Sequence, residues 1–272
     1  MHSFELLRRA LLVVSLSLVA GNAFAQAPAT KPFEPEVGRA GKDVVWVPTP
    51  QALVDKMLDM AAVTPQDYLM DLGSGDGRTV ITAAKRGVQA LGIEYDPDMV
   101  DLSVRNAAAG GVSDKAKFMK ADLFKTDFSK ATVITMFLLP SINLQLRPLI
   151  LNMKPGTRVV SNTFTMEDWQ PDETSKIDPC DRWCTALFWI VPAKVEGTWQ
   201  SPQGSVTLRQ QFQMVSGTIG GTPITNGKLR GDKISFTASG SQYSGLVNGN
   251  RIEGTVASAG RTANWQATRA GL

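Results

Sequence analysis

From Thr49 to Asn162 two hydrophobic periods alternate along the chain. Leu53, Val54, Met57, Leu58 and Ala61 recur at three- and four-residue spacing, which marks one face of a helix. Thr49-Pro50 ahead of them offers an N-cap and a first-turn proline. Tyr68-Leu69-Met70-Asp71-Leu72 is then a short apolar run of the length a buried strand takes, and it ends in Gly73-Ser74-Gly75-Asp76-Gly77. The same reading predicts helices from Arg78 to Arg86, Pro97 to Ala109 and Ile142 to Leu151, with Gly87 and Gly110-Gly111 as stops. Strands are predicted at Ala90–Glu94, Lys117–Met119, Thr132–Leu138 and Thr157–Asn162. Strands and helices of these lengths, taken in turn, imply an α/β domain over residues 44–192, with right-handed crossovers and a mostly parallel sheet. Its ligand belongs beyond the carboxyl ends of the strands, at the switch between the first and the fourth.

The period changes after Val195. Gly, Ser, Thr, Asn and Gln dominate, and short alternating segments recur at Gly197–Trp199, Val206–Phe212, Lys233–Thr237, Tyr243–Val247, Arg251–Val256 and Asn264–Thr268. Asn226-Gly227, Gly231-Asp232 and Asn248-Gly249-Asn250 read as turns between them. Gly231-Asp232-Lys233-Ile234 is echoed 18 residues later by Gly249-Asn250-Arg251-Ile252, the offset of one hairpin in an antiparallel meander. Residues 195–272 are therefore predicted to be a small β-sandwich or barrel-like domain, joined through Pro192-Ala193-Lys194. It holds no catalytic constellation. It is either a module that docks a substrate or envelope component, or a stabilising appendage.

The N-terminus has a different character. Arg8 and Arg9 precede an eleven-residue apolar run from Ala10 to Ala20, and Ala23-Phe24-Ala25 supplies small residues for a signal peptidase. Residues 1–25 are predicted to be a cleaved export signal, too short to span a bilayer. Residues 26–43 are predicted to be a flexible Pro-rich leader. The product would be periplasmic or secreted, with no stable transmembrane segment. His2 is the one histidine, so the exported chain would lack Ser-His-Asp catalysis and histidine metal sites, and no metal is expected. The formal charge of +3 over 272 residues is too mild to indicate a nucleic-acid partner. Cys180 and Cys184 are spaced for a short-loop disulfide in an oxidising compartment. Too few ligands surround them for a metal site, and the spacing is not that of a C-x-x-C redox pair.

The chemistry lies at the first two strand ends. Three glycines at G-x-G-x-G let a backbone turn approach a ligand closely. The dinucleotide fingerprint would place the third glycine one residue later. Asp71 and Asp76 would repel a pyrophosphate, which disfavours a nicotinamide oxidoreductase, and would welcome a ligand with an amino group and a sulfonium. Glu94, 23 residues after Asp71, ends the second strand, where a carboxylate accepts ribose hydroxyls. The plain alternative is a glycine turn with two solvated acids.

Asp71–Gly77, Glu94 and Ala121-Asp122-Leu123 resemble motifs I, II and III of the class I S-adenosylmethionine-dependent methyltransferases, which have a Rossmann-like sheet. Val47-Pro48-Thr49-Pro50, Asp71 to Arg78, Ala121 to Lys125 and Asp168-Trp169-Gln170-Pro171-Asp172 are more narrowly similar to the ATP synthase c-subunit and adenine nucleotide translocase lysine methyltransferases. The resemblance spans roughly residues 44 to 175. It implies S-adenosyl-L-methionine as cofactor, with Asp71, Gly73, Ser74, Gly75 and Gly77 at its methionine end. Glu94 would take the ribose, Tyr95 would lie along the adenine, Asp122 would accept from the adenine amino group and Leu123 would pack on the ring. Trp46, Pro48 and Thr49 would fold over the site, and Asn162 is a polar candidate to orient an amine. Asp122 read plainly is a capping or loop acid, and Trp46 a packing aromatic. No residue stands out as a general base. The resemblance implies transfer to a lysine of a protein partner. A small-molecule methyltransferase and a non-catalytic exported binding protein are the alternatives.

Overall fold

A computed structural model describes residues 33–271. The predicted export signal and residues 26–32 of the predicted leader lie outside the described residues.

Helix α1 (Gln51–Met60) opens the sheet region. It is followed by β1 (Tyr68–Leu72), α2 (Arg78–Lys85), β2 (Gln89–Glu94), α3 (Pro97–Ala109) and β3 (Ala116–Lys120). Then come β4 (Val133–Met136), α4 (Pro140–Leu151), β5 (Arg158–Asn162), β6 (Glu173–Lys176) and β7 (Thr185–Ile190). The seven strands lie in the order β3-β2-β1-β4-β5-β7-β6. β1 to β5 are parallel, whereas β7 runs antiparallel to β5 and β6 antiparallel to β7. The predicted α/β order holds, and the antiparallel pair β6–β7 is an addition that sequence periodicity missed. β1 and β4 are buried almost end to end because helices or loops cover both faces, which is why they read as unbroken apolar runs. α1 buries Leu53, Val54, Met57 and Leu58 in the core layer on one side, and Met136, Leu146, Trp169 and Trp189 fill the other.

Two local predictions shift. Pro50, not Thr49, is the N-cap of α1, and no side chain caps that helix. Thr49 is instead drawn inward, where its hydroxyl accepts from Asn162 Nδ2 at 3.2 Å. The last residues of the predicted leader are hydrogen-bonded to the chain that follows. Gly38 donates to the Trp46 carbonyl at 2.9 Å and Trp46 to that of Arg39 at 2.8 Å, so residues 38–46 make a small hairpin.

The C-terminal strands β8 (Gly197–Ser201), β9 (Gly204–Gln211), β10 (Met214–Ile219), β11 (Thr222–Arg230), β12 (Lys233–Ala238), β13 (Ser241–Asn248), β14 (Arg251–Ser258) and β15 (Arg261–Arg269) form a closed antiparallel barrel. Each strand pairs with its sequence neighbour, and β15 pairs back onto β8 through Thr268–Gln200 and Arg269–Trp199. Alternate residues point inward, as a small filled barrel requires, and Phe236, Tyr243 and Trp265 stack at its centre with ring centroids 4.8 to 5.6 Å apart. Asn226-Gly227 is not a turn. It is a bulge within β11, with Asn226 at φ 52°, where the register against β10 and β12 slips. A side chain at Gly227 would put its Cβ 2.1 Å from the Val215 carbonyl oxygen, so the glycine serves strand contact.

The barrel rests against the Trp169 segment. Phe212 stacks on Trp169 at 5.9 Å, Gln213 Nε2 donates to the Gln170 carbonyl at 2.8 Å, and Lys228 Nζ lies 3.2 Å from the buried Asp172 carboxylate.

Candidate active site

β1, β2 and β4 end side by side, and the sheet order reverses between β1 and β4, so a crevice opens above them. A cavity of about 630 Å³ occupies it. Asp71, Gly73, Ser74, Gly75, Glu94, Tyr95, Asp122, Leu123, Trp46, Pro48 and Thr49 all line it. Two predicted residues do not. Gly77 sits behind the turn as the N-cap of α2 at φ 79°, where an added Cβ would fall 2.7 Å from Phe118. Its conformational freedom serves the helix start. Asn162 is fully buried behind Thr49 and cannot orient an amine in the cavity; Thr163 donates to its Oδ1 at 2.9 Å.

The turn from β1 to α2 is built to hold something against its backbone. Gly73 N and Ser74 N both donate to the Ile93 carbonyl, at 2.9 and 3.0 Å, which ties the turn to β2. Gly75 adopts φ 55°, and its amide donates to Glu94 Oε2 at 2.9 Å. The other oxygen of Glu94 accepts from Tyr95 N at 2.8 Å and Asp96 N at 3.0 Å. That carboxylate is thus fixed by three backbone amides at the mouth of the cavity. Ser74 Oγ is buried without a hydrogen-bond partner.

Asp71 faces the turn from the end of β1 and accepts from Thr135 Oγ1 at 2.6 Å. Burial pushes its carboxyl up to about 7, the Thr135 hydrogen bond opposes the rise, and the charges of Glu94 and Asp76 add to it. Asp76 was expected to lend its charge to the ligand. It is instead clasped by Arg78 of its own loop, with three contacts of 2.6 to 3.1 Å, and Arg78 also reaches the Thr49 carbonyl.

At the other end of the cavity Asp122 caps a short 3-10 turn, Leu123–Lys125, by accepting from Phe124 N at 3.0 Å. Its second oxygen accepts from Lys42 Nζ at 3.0 Å, which holds its carboxyl below the usual range and the Lys42 ammonium above its own. Lys42 also lies 5.1 Å from the centre of the Tyr95 ring. Lys42 was missed from sequence, because Pro-rich composition assigned it to a leader. Trp46 lies directly over the glycine turn: its Nε1 is 2.7 Å from where a Cβ on Gly75 would stand. Phe137, Phe164 and Trp183 form a third wall, and they too were missed, since each lies alone in an irregular segment.

These residues fit S-adenosylmethionine. Glycines that leave room at the turn, a buried carboxylate for an ammonium, a serine hydroxyl in need of a partner and a second carboxylate at a strand end match an amino acid joined to a nucleoside.

The comparisons with known proteins agree. A family profile described as the ANTKMT methyltransferase domain matches residues 71–173. A protein-lysine N-methyltransferase of Saccharolobus islandicus is 40% identical over 151 residues, which cover 54% of this chain and 94% of that protein. The chain belongs to this methyltransferase family. The ATP synthase c-subunit lysine N-methyltransferase of Mus musculus is 41% identical over 39% of this chain, and the match spans 44% of the mouse protein. The solved structure of an RNA methyltransferase from Salinibacter ruber, in complex with S-adenosyl-L-homocysteine, superposes with a TM-score of 0.52 at 46% identity, over 55% of this chain and 96% of that one. The methyltransferase described here is therefore an S-adenosylmethionine-dependent enzyme. The family profile ends at residue 173, before the barrel begins.

Proposed function

We propose that this methyltransferase is an exported enzyme that methylates the Nε atom of a lysine in a protein substrate. The observation that carries the reading is the 40% identity across 94% of a protein-lysine N-methyltransferase. When bound, S-adenosylmethionine would supply a methyl group on a sulfonium, which an amine lone pair can accept as the carbon–sulfur pair goes to sulfur.

The residues of the chain then act by holding and excluding. Asp71, steadied by Thr135, would hold the amino group of the methionine end, and Glu94 the ribose. Asp122 and Leu123 would take the adenine end, with Tyr95 along it. Trp46 covers the glycine turn and keeps water from it. An acceptor amine must arrive without its proton, and Leu138 and Leu139 give the approach an apolar lip, which lowers an amine's pKa. Alignment and desolvation supply most of the rate in such a transfer, so a dedicated base is not required.

Export rests on the N-terminal sequence, and the Cys180–Cys184 disulfide supports it, because such bonds persist in oxidising compartments. A second reading follows from the Salinibacter relative, which is described as an RNA methyltransferase. Radiolabelled S-adenosylmethionine, offered with lysine-rich protein and with RNA in parallel, tests both. Label that stays on protein and disappears after chemical blocking of lysines supports the proposal, whereas label on RNA alone overturns it.

A further inference from the structure

The third wall of the cavity has a chemistry of its own. Phe137 follows β4, Phe164 follows β5, and Trp183 precedes β7. Their ring centroids are 5.8 Å (Phe137–Phe164), 5.6 Å (Phe137–Trp183) and 5.3 Å (Phe164–Trp183) apart. Phe137 and Phe164 are nearly parallel, with planes 20° apart, and Trp183 stands across Phe137 at 61°. All three are only partly buried and share the cavity with the glycine turn. Leu138, next to Phe137, approaches within 3.0 Å of where a Cβ on Gly73 would lie, so this wall meets the methionine end of the site rather than the adenine end.

Two of the three rings sit on backbone held by specific contacts. The Phe164 carbonyl accepts from Ser161 Oγ at 2.8 Å and from Asn143 Nδ2 at 3.2 Å, and both donors belong to fully buried residues. Trp183 lies inside the five-residue loop that Cys180 and Cys184 close as a disulfide. It adopts φ 59°, a left-handed backbone that a bulky side chain takes only where its surroundings impose it. The loop is anchored to the sheet by the Ile177 amide, which donates to the Cys184 carbonyl at 3.0 Å.

Resting on the lysine reading above, we propose that Phe137, Phe164 and Trp183 are the acceptor-binding cage and that the Cys180–Cys184 loop exists to hold Trp183 in it. The ligand class is an alkylammonium that becomes more methylated. A primary ammonium carries three N–H donors, and ring faces satisfy them poorly. Each methyl that replaces a hydrogen removes a donor and spreads the charge over a surface that π faces attract. The nitrogen also gains positive charge as it accepts the methyl, and the rings meet that charge as it forms. The product then sheds its proton to water and is ready to accept again. The cage thus favours methylated lysine over lysine, and repeated methylation over release after one turn.

Three otherwise identical peptides test this on the full disulfide-bonded protein saturated with S-adenosylhomocysteine. One carries lysine, one Nε-trimethyllysine, and one the neutral tert-butyl isostere of trimethyllysine. Binding of each is titrated calorimetrically. The expected result is that trimethyllysine binds at least about fivefold more tightly than its neutral isostere, as cation–π recognition requires. Trp183→Ala should bring the two within about twofold, Trp183→Phe should keep part of the preference, and Cys180→Ser/Cys184→Ser should weaken it. Equal binding of charged and neutral peptides, no binding of either, or a preference unchanged in Trp183→Ala overturns the inference. Binding of an RNA oligonucleotide in place of the peptides overturns it in favour of base stacking. S-adenosylhomocysteine binding, measured on every variant, separates the two failures: its loss in the parent protein strikes the methyltransferase site itself, and its retention confines the failure to the cage.

Discussion

Asp71 sets the pH dependence of the site. Its carboxyl titrates at about 7 in the folded chain, so near neutrality the proton is shared between bound and free forms. A ligand ammonium favours the carboxylate and expels that proton. Affinity for S-adenosylmethionine should therefore rise from about pH 6 to about pH 8, and calorimetry in buffers of different ionisation enthalpy should show about half a proton released per cofactor at neutrality. Stability runs the other way. A carboxyl whose pKa is raised by folding contributes stability below its unfolded value, and that contribution is lost as the pH rises through about 7. Asp71→Asn stays neutral, so the cofactor-free variant should be more stable than the parent at about pH 8, by up to about 4 kcal/mol, and should bind no cofactor. Thermal unfolding at several pH values checks both signs; a variant less stable than the parent in alkali would refute the account. Gly75 makes a steric argument of the same kind. Its φ of 55° and the Trp46 indole leave no room for a Cβ, so Gly75→Ala should weaken cofactor binding at least about tenfold and lower stability by about 1 to 2 kcal/mol.

Elements decide which residues reach the cavity. The hairpin at 38–46 brings Lys42 and Trp46 over the crevice. Trp46→Ala should leave the cofactor's association rate almost unchanged and speed its release about tenfold, which stopped-flow fluorescence can resolve. A larger effect on association would mean that Trp46 shapes the empty site instead of covering the filled one. Sequence periodicity found the helices and parallel strands, since a long one-sided apolar pattern is a local property. It failed where a contact from elsewhere intervened. Thr49 reads as an N-cap by its neighbours, but Asn162, 113 residues away, claims its hydroxyl. Asn226-Gly227 reads as a hairpin turn, but β10 and β12 on either side draw it into β11 as a bulge.

The two regions of the molecule meet across the Trp-x-Pro-Asp stretch. Trp169 is fully buried between Trp189 and Phe212, Asp168 pairs with Arg147, and Asp172 accepts from Ile190 N at 3.0 Å while facing Lys228 of the barrel. A stretch that resembles the lysine methyltransferase family thus serves here as the platform for the barrel. Lys228→Ala would leave a carboxylate with no exposed surface without its cation, and the partial exposure of the lysine moderates the loss to about 2 kcal/mol. Urea unfolding followed by circular dichroism and by tryptophan fluorescence should give coincident transitions for the parent protein. Separate transitions would show that barrel and sheet hold together less firmly than these contacts imply.

The sequence by itself determined what depends on neighbours: the alternation of strand and helix, the glycine turn between Asp71 and Gly77, the acid at the end of β2, and the meander with its hairpin echo. These follow from side-chain period and backbone freedom, which a few consecutive residues express. Only the tertiary structure decided what depends on distance through space. It closed eight strands into a barrel, withdrew Gly77 and Asn162 from the cavity, and gave the Asp76 charge to Arg78. It also gathered Phe137, Phe164 and Trp183 from three separate loops into one wall. No local pattern marks such residues, because their meeting is fixed by the order of the strands that carry them.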